Sequence, residues 1–122
     1  MLTTDQQRQL WEWCGFRRCT LDDMPERMRH ESNIQGRWIA PNGEHTNKRP
    51  PLDMNSLFKW AVPKVDAASV WKQLGTGLYF ARSTIKRGGA IFTFGVGKSY
   101  TTAVEALSHA LYDALKEAAD AE

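Results

Sequence analysis

Apolar and polar positions alternate most regularly near the C-terminal end, where Val104, Leu107, Leu111 and Leu115 recur at spacings of three, four and four. That period places four aliphatic side chains on one stripe of an amphipathic helix. Ala103, Ala106, Ala110 and Ala114 flank the stripe and would let the helix approach a sheet closely. Thr102 with Glu105 three residues later fits a capping box, so the helix is expected to begin there. His109 falls opposite the stripe and is expected to be exposed.

Before this helix the period shortens to two. Leu78 to Ile85 and Ala90 to Phe94, joined by Lys86-Arg87-Gly88-Gly89, read as a β-hairpin rich in aromatic and β-branched residues. Strand geometry sets Leu78, Phe80, Arg82 and Thr84 on one face and Tyr79, Ala81, Ser83 and Ile85 on the other. Neither set is wholly apolar, so helices are expected to cover one face and to leave part of the other reachable.

At the other end, Thr4 as N-cap with Gln7 three residues on opens a helix carrying Leu10, Trp11 and Cys14 near one face, and Gly15 stops it. Arg17 to Gly36 has no sustained period and reads as an irregular connection with a short helical turn around Pro25 to Arg29. Arg37 to Ala40 is a short strand, Pro41-Asn42-Gly43 a turn, and Glu44 to Asn47 a return strand. Lys48-Arg49-Pro50-Pro51 interrupts regular structure, and Asp53 caps a helix bearing Leu57, Phe58, Trp60 and Ala61 as far as Pro63. Val65 to Leu74 reads as further helical turns carrying Val70 and Trp71. The elements add up to one α+β domain over residues 1–122, a small antiparallel sheet packed by an N-terminal, a middle and a long C-terminal helix.

Composition keeps the chain within ordinary globular classes. It has 122 residues, 42% hydrophobic and 25% charged, enough for one core and too few for two independent ones. Its apolar runs are far shorter than a membrane span, and no membrane partner is expected. Met1 to Arg8 lacks the charged-then-apolar order of a secretory signal, so a cytoplasmic location is expected. Asp113, Glu117, Asp120 and Glu122 against Lys116 leave the last eleven residues at −3, so a total of +2 leaves the body at +5. A mildly basic body is compatible with an anionic partner.

Candidate chemistry is sparse. Cys14, Cys19, His30 and His45 lack the paired spacing of a zinc site, so no metal is expected. No catalytic triad is legible, nothing requires Cys14 to act as a nucleophile, and neither a cofactor nor an enzymatic activity is expected. Gly95-Val96-Gly97-Lys98-Ser99 reads as a glycine turn between a strand and a helix start. Phe92 stands where a phosphate-binding P-loop needs its first glycine. What remains is an anion-friendly corner in which Lys98 lies beside the N–H groups of a helix start. The same run resembles the start of the last helix in double-stranded RNA-binding domains, but Tyr100 and Thr101 replace that family's paired lysines. Of the five tryptophans, Trp11 and Trp13 cannot share a helix side, and Trp13 is a candidate for stacking or for an oligomer contact. The candidate ligand-binding set is therefore Gly97, Lys98, Ser99, Arg82, Lys86, Arg87, Lys48, Arg49 and Trp13.

Four segments together, Trp13 to Phe16, Gly36 to Gly43, Pro50 to Val65 and Gly97 to Leu115, resemble the small phage and prophage proteins of the phage ABA sandwich domain. The resemblance implies an α+β sandwich and a phage origin, and it implies no activity. The expectation is a phage accessory protein that acts by binding. Its ligand would be nucleotide-like or otherwise anionic, such as a host defence signal, captured by the basic hairpin loop at Lys86 and Arg87 and by the Lys98 corner, with a homo-oligomer interface as one place to hold it. RNA binding and inhibition of a host protein through an exposed tryptophan patch are the alternatives.

Overall fold

Helix α3 (Ala103–Asp120) is the element around which the chain folds, in a computed structural model that describes residues 1–19, 37–46 and 48–120. Its leucine stripe is buried as the spacing predicts: Leu107 and Leu111 are fully covered, Leu115 nearly so, and Val104 packs at the margin. Burial of each such side chain favours folding by roughly 1.5–3 kcal/mol before conformational entropy is subtracted. The Glu105 N–H donates to Thr102 Oγ1 at 3.1 Å, the cap expected at this end.

The alanine row, Ala106, Ala110 and Ala114, is buried too, and it lets α3 sit directly on an antiparallel sheet ordered β4 (Ala67–Lys72), β5 (Tyr79–Arg87), β6 (Ala90–Phe94). Ser83 Oγ, fully buried in β5, donates to the Ala110 carbonyl at 2.7 Å. Gly95, at φ +90°, passes so close that a Cβ there would lie 2.6 Å from the Ala81 carbonyl oxygen and 2.9 Å from Ala110 Cβ. Only glycine meets both the dihedral and the clearance.

Two expectations change in this sheet. Val65 to Leu74 is not helical; most of it is β4, paired along its length with β5. Ala68 and Val70 turn toward the core while Ser69 and Trp71 stay exposed, a period of two that lets the segment complete a sheet. Asp66 Oδ2 accepts from the Lys86 N–H at 2.6 Å and pins this register. Lys86 and Arg87 lie inside β5, not in the hairpin loop. Gly88 and Gly89, at φ +55° and +82°, are enough for a two-residue turn with both residues left-handed.

A second small antiparallel sheet joins β1 (Arg17–Arg18), β2 (Trp38–Ile39) and β3 (His45–Thr46) in that order. The β2–β3 turn at Pro41 to Gly43 is the one expected, closed by Gly43 N–H to the Ala40 carbonyl at 2.9 Å. β1 was not expected: Arg17 and Arg18 read as irregular chain, and they are ordered by pairing with Ile39 and Trp38. The rest of that connection, with the turn around Pro25 to Arg29, lies outside the described residues.

Helix α1 (Thr4–Trp13) is capped one residue earlier than expected. Thr3 Oγ1 accepts from the Gln6 N–H at 3.1 Å, and Gln6 Oε1 accepts from the Thr3 N–H at 2.9 Å. Thr3-Gln6 and Thr4-Gln7 both fit the capping box. The earlier frame leaves Gln7 Nε2 to donate to the Leu2 carbonyl at 3.0 Å, with Leu2 in the core. The middle helix starts as expected, Asp53 accepting from the Ser56 N–H at 2.8 Å over α2 (Met54–Ser56). It then widens to a π-turn (Leu57–Ala61) and tightens to a 3₁₀ turn (Val62–Lys64) at Pro63. α1 and the middle helix pack against α3, and the sheet's outer face carries no described helix. The fold is α+β, with two small antiparallel sheets and three helices.

Candidate functional site

The residues singled out in the sequence fall in separate places. Lys98 lies in a turn closed by its own N–H to the Gly95 carbonyl at 3.3 Å. Tyr100 then pairs with Tyr79 across the sheet edge before α3 begins at Ala103. Gly97, Lys98 and Ser99 are exposed but stand off from the helix start, and Lys98 Nζ lies 3.8 Å from Asp113 Oδ2 well along α3. Ser99, Tyr100, Thr101 and Thr102 separate the lysine from the first residue of α3.

Arg87 ties the hairpin to α3, donating to the Glu117 carbonyl at 3.3 Å with its Nη1 3.9 Å from Glu117 Oε1. Trp13 is half-buried, its ring centroid 5.2 Å from that of Tyr112, so most of its surface is already in use. Arg82 and Lys86 project from the open face of β5.

Lys48 and Arg49 form the most constructed arrangement. With Pro50 they face Gln7 and Trp11, one helical turn apart on α1, around a cavity of about 170 Å³. The Arg49 guanidinium carbon lies 5.6 Å from the centroid of the Trp38 ring, and that of Arg18 lies 5.4 Å from the same ring. Both distances are within cation–π range. Arg49 Nη1 is shut off from solvent with no hydrogen-bond acceptor among the described residues. None of Arg18, Lys48 and Arg49 is salt-bridged to a described carboxylate. A buried charged donor left without an acceptor costs about 1–3 kcal/mol or more.

Burial pushes the Cys14 thiol up to about 12, opposed only in part by the charge of Lys64, so it stays protonated and a poor nucleophile. Cys19 Sγ lies 4.0 Å from His45 Nδ1. Among the described residues no three His, Cys, Asp or Glu side chains converge as metal ligands, and His30 lies outside them. His109 is not fully exposed as expected: its ring stacks on Tyr100 with centroids 4.9 Å apart. Burial holds its pKa below the usual value, helped by the Met1 amino group and Lys98 and opposed by Asp113 and Glu105.

Two features escaped the sequence reading. Trp38 read as one strand residue among several, and only the pairing of β1 with β2 brings Arg18 to it. Trp71 read as helical, whereas on β4 it stacks on its cross-strand partner Phe80 at 5.9 Å and 13°. Reading Ala68 to Trp71 at period two was the available signal. No described helix is long and apolar enough to cross a membrane. No protein-family model, no curated protein and no solved structure matches the chain.

Proposed function

We propose that this protein acts by binding, and that the phosphate or carboxylate of a small anionic ligand, nucleotides included, takes the cavity at Lys48 and Arg49. The observation that carries this reading is the Arg49 guanidinium, whose Nη1 has no described acceptor, in a cavity lined also by Lys48, with neither cation salt-bridged to a described carboxylate. Guanidinium is suited to the role because its planar fork can give two parallel hydrogen bonds to one oxyanion. At about 170 Å³ the cavity is smaller than the 300 Å³ or so of whole-ligand pockets, so it takes an acidic head group and leaves the rest of the ligand outside.

Isothermal titration calorimetry with inorganic phosphate, adenosine monophosphate and succinate tests the reading and separates phosphate from carboxylate. At least one is expected to bind the wild type. Arg49→Met is expected to weaken that binding at least tenfold, and Arg49→Lys, which keeps the charge and loses the fork, to weaken it less. No binding by any of the three, or equal binding by Arg49→Met, overturns it.

A further inference from the structure

The outer face of the β4–β5–β6 sheet has no part in the Arg49 cavity, and it combines three properties. Cross-strand pairing places Ser69 and Trp71 of β4, Phe80, Arg82, Thr84 and Lys86 of β5, and Ile91 and Thr93 of β6 on this one side. Trp71 and Phe80 form a stacked pair here, and Trp71 keeps 46% of its surface exposed. Beside the pair lies a trough of about 180 Å³ whose one charged lining residue is Arg82.

The third property is charge. None of the residues of β4, β5 and β6 is acidic, and the cations on this side are Arg82 and Lys86, while Lys72 and Arg87 lie on the side that α3 covers. The neighbouring carboxylate of Asp66 is engaged by the Lys86 N–H. The acidic groups of this half of the molecule, Glu105, Asp113, Glu117 and Asp120, are on α3, against the opposite side of the sheet.

We infer that this open face is a docking surface for single-stranded nucleic acid. An exposed ring pair offers a base a stacking platform that tolerates any sequence, and flanking cations hold the backbone. The spacing suits the task. Arg82 is two residues along β5 from Phe80, roughly 7 Å, and Lys86 is four further on, roughly 13 Å. A base stacked on Trp71 and Phe80 thus has a guanidinium about one nucleotide away, a trough of mixed apolar and hydroxyl lining beside it and a second cation beyond. An apolar protein surface is a poorer match, because Arg82, Ser69 and Thr84 occupy the middle of the face. A duplex hides its base faces and cannot use the ring pair.

The test is fluorescence anisotropy of the full chain with labelled ten-nucleotide uridine and deoxythymidine strands and with a duplex of equal length. Single strands are expected to bind more tightly than duplex. The plot of log affinity against log salt is expected to slope at about −0.7 per phosphate neutralised, roughly −1.4 for Arg82 and Lys86 together. Trp71→Ala and Arg82→Glu are each expected to weaken binding about tenfold. Lys116→Glu, on the exposed side of α3, is expected to leave it unchanged. Arg82 is exposed, so the Arg82→Glu result stands even where circular dichroism shows that Trp71→Ala disturbs the fold. Failure of both strands to bind, tighter binding of duplex, or affinities untouched by both substitutions overturns the inference. The Arg49 cavity is tested by other ligands and other variants, so either reading can fail alone.

Discussion

His109 stacks on Tyr100 with 14° between ring planes, and its imidazole is held neutral below its ordinary pKa, chiefly by burial. The folded state therefore takes up its proton at lower pH than the unfolded chain, whose histidine titrates near 6.5. The contribution is fully present above that value. It is lost as pH falls below about 6.5 and is gone once the lower, folded-state pKa is passed. Thermal unfolding at about pH 7.5 and 5.5 is expected to show a lower midpoint at the acid value. His109→Phe, which keeps the ring stack without the titration, is expected to shrink that difference; an equal drop in both proteins refutes it. At the N-terminus, Thr3→Ala removes the Oγ1 acceptor of the observed cap, leaving only the Thr3 N–H bond to Gln6 Oε1, and is expected to cost about 1 kcal/mol. Thr4→Ala, one residue inside the helix, is expected to stay within about 0.5 kcal/mol in the same denaturant titration. The sequence pattern pointed to Thr4 with Gln7, and Thr3 with Gln6 fits the same pattern one residue earlier. The packing of Leu2 into the core selects between them, and a window of eight residues carries no sign of it.

Among the elements, α3 and the β5–β6 hairpin were legible because their periods are long and unbroken. The β4 segment was not. Six residues with one β-branched side chain hold too little local preference to outweigh either reading, and the free edge of β5 decided the matter. How closely α3 lies on the sheet rests on Gly95. Gly95→Ala must force a Cβ against the Ala81 carbonyl at a positive φ, and a loss of about 2–4 kcal/mol is expected from denaturant midpoints. Gly97→Ala has the same dihedral problem at φ +80° with nothing within 4 Å, so about 1–2 kcal/mol is expected. Equal losses would show that strain alone, and not the approach of helix to sheet, is what Gly95 accommodates.

Over the whole molecule, charge and secondary structure divide together. The strands of the larger sheet carry cations and no acids, while α3 carries four carboxylates and Lys116. The cationic and aromatic face of the sheet is the one α3 leaves open. The candidate cations were visible in the sequence, yet their grouping was not: Lys48 and Arg49 join a cavity, Arg82 and Lys86 an open face, and Arg87 and Lys98 separate ion pairs with α3. The chain's own periodicity determined the buried stripe of α3, the hairpin with its glycine turn, the helix caps to within a residue, and the α+β class. Each rests on interactions between residues a few positions apart. Tertiary structure alone decided that Arg18 and Arg49 share Trp38, that Trp71 stacks on Phe80, and that Lys98 meets Asp113 well along α3. Those contacts join separate segments, and only the burial of a common core determines which of them meet.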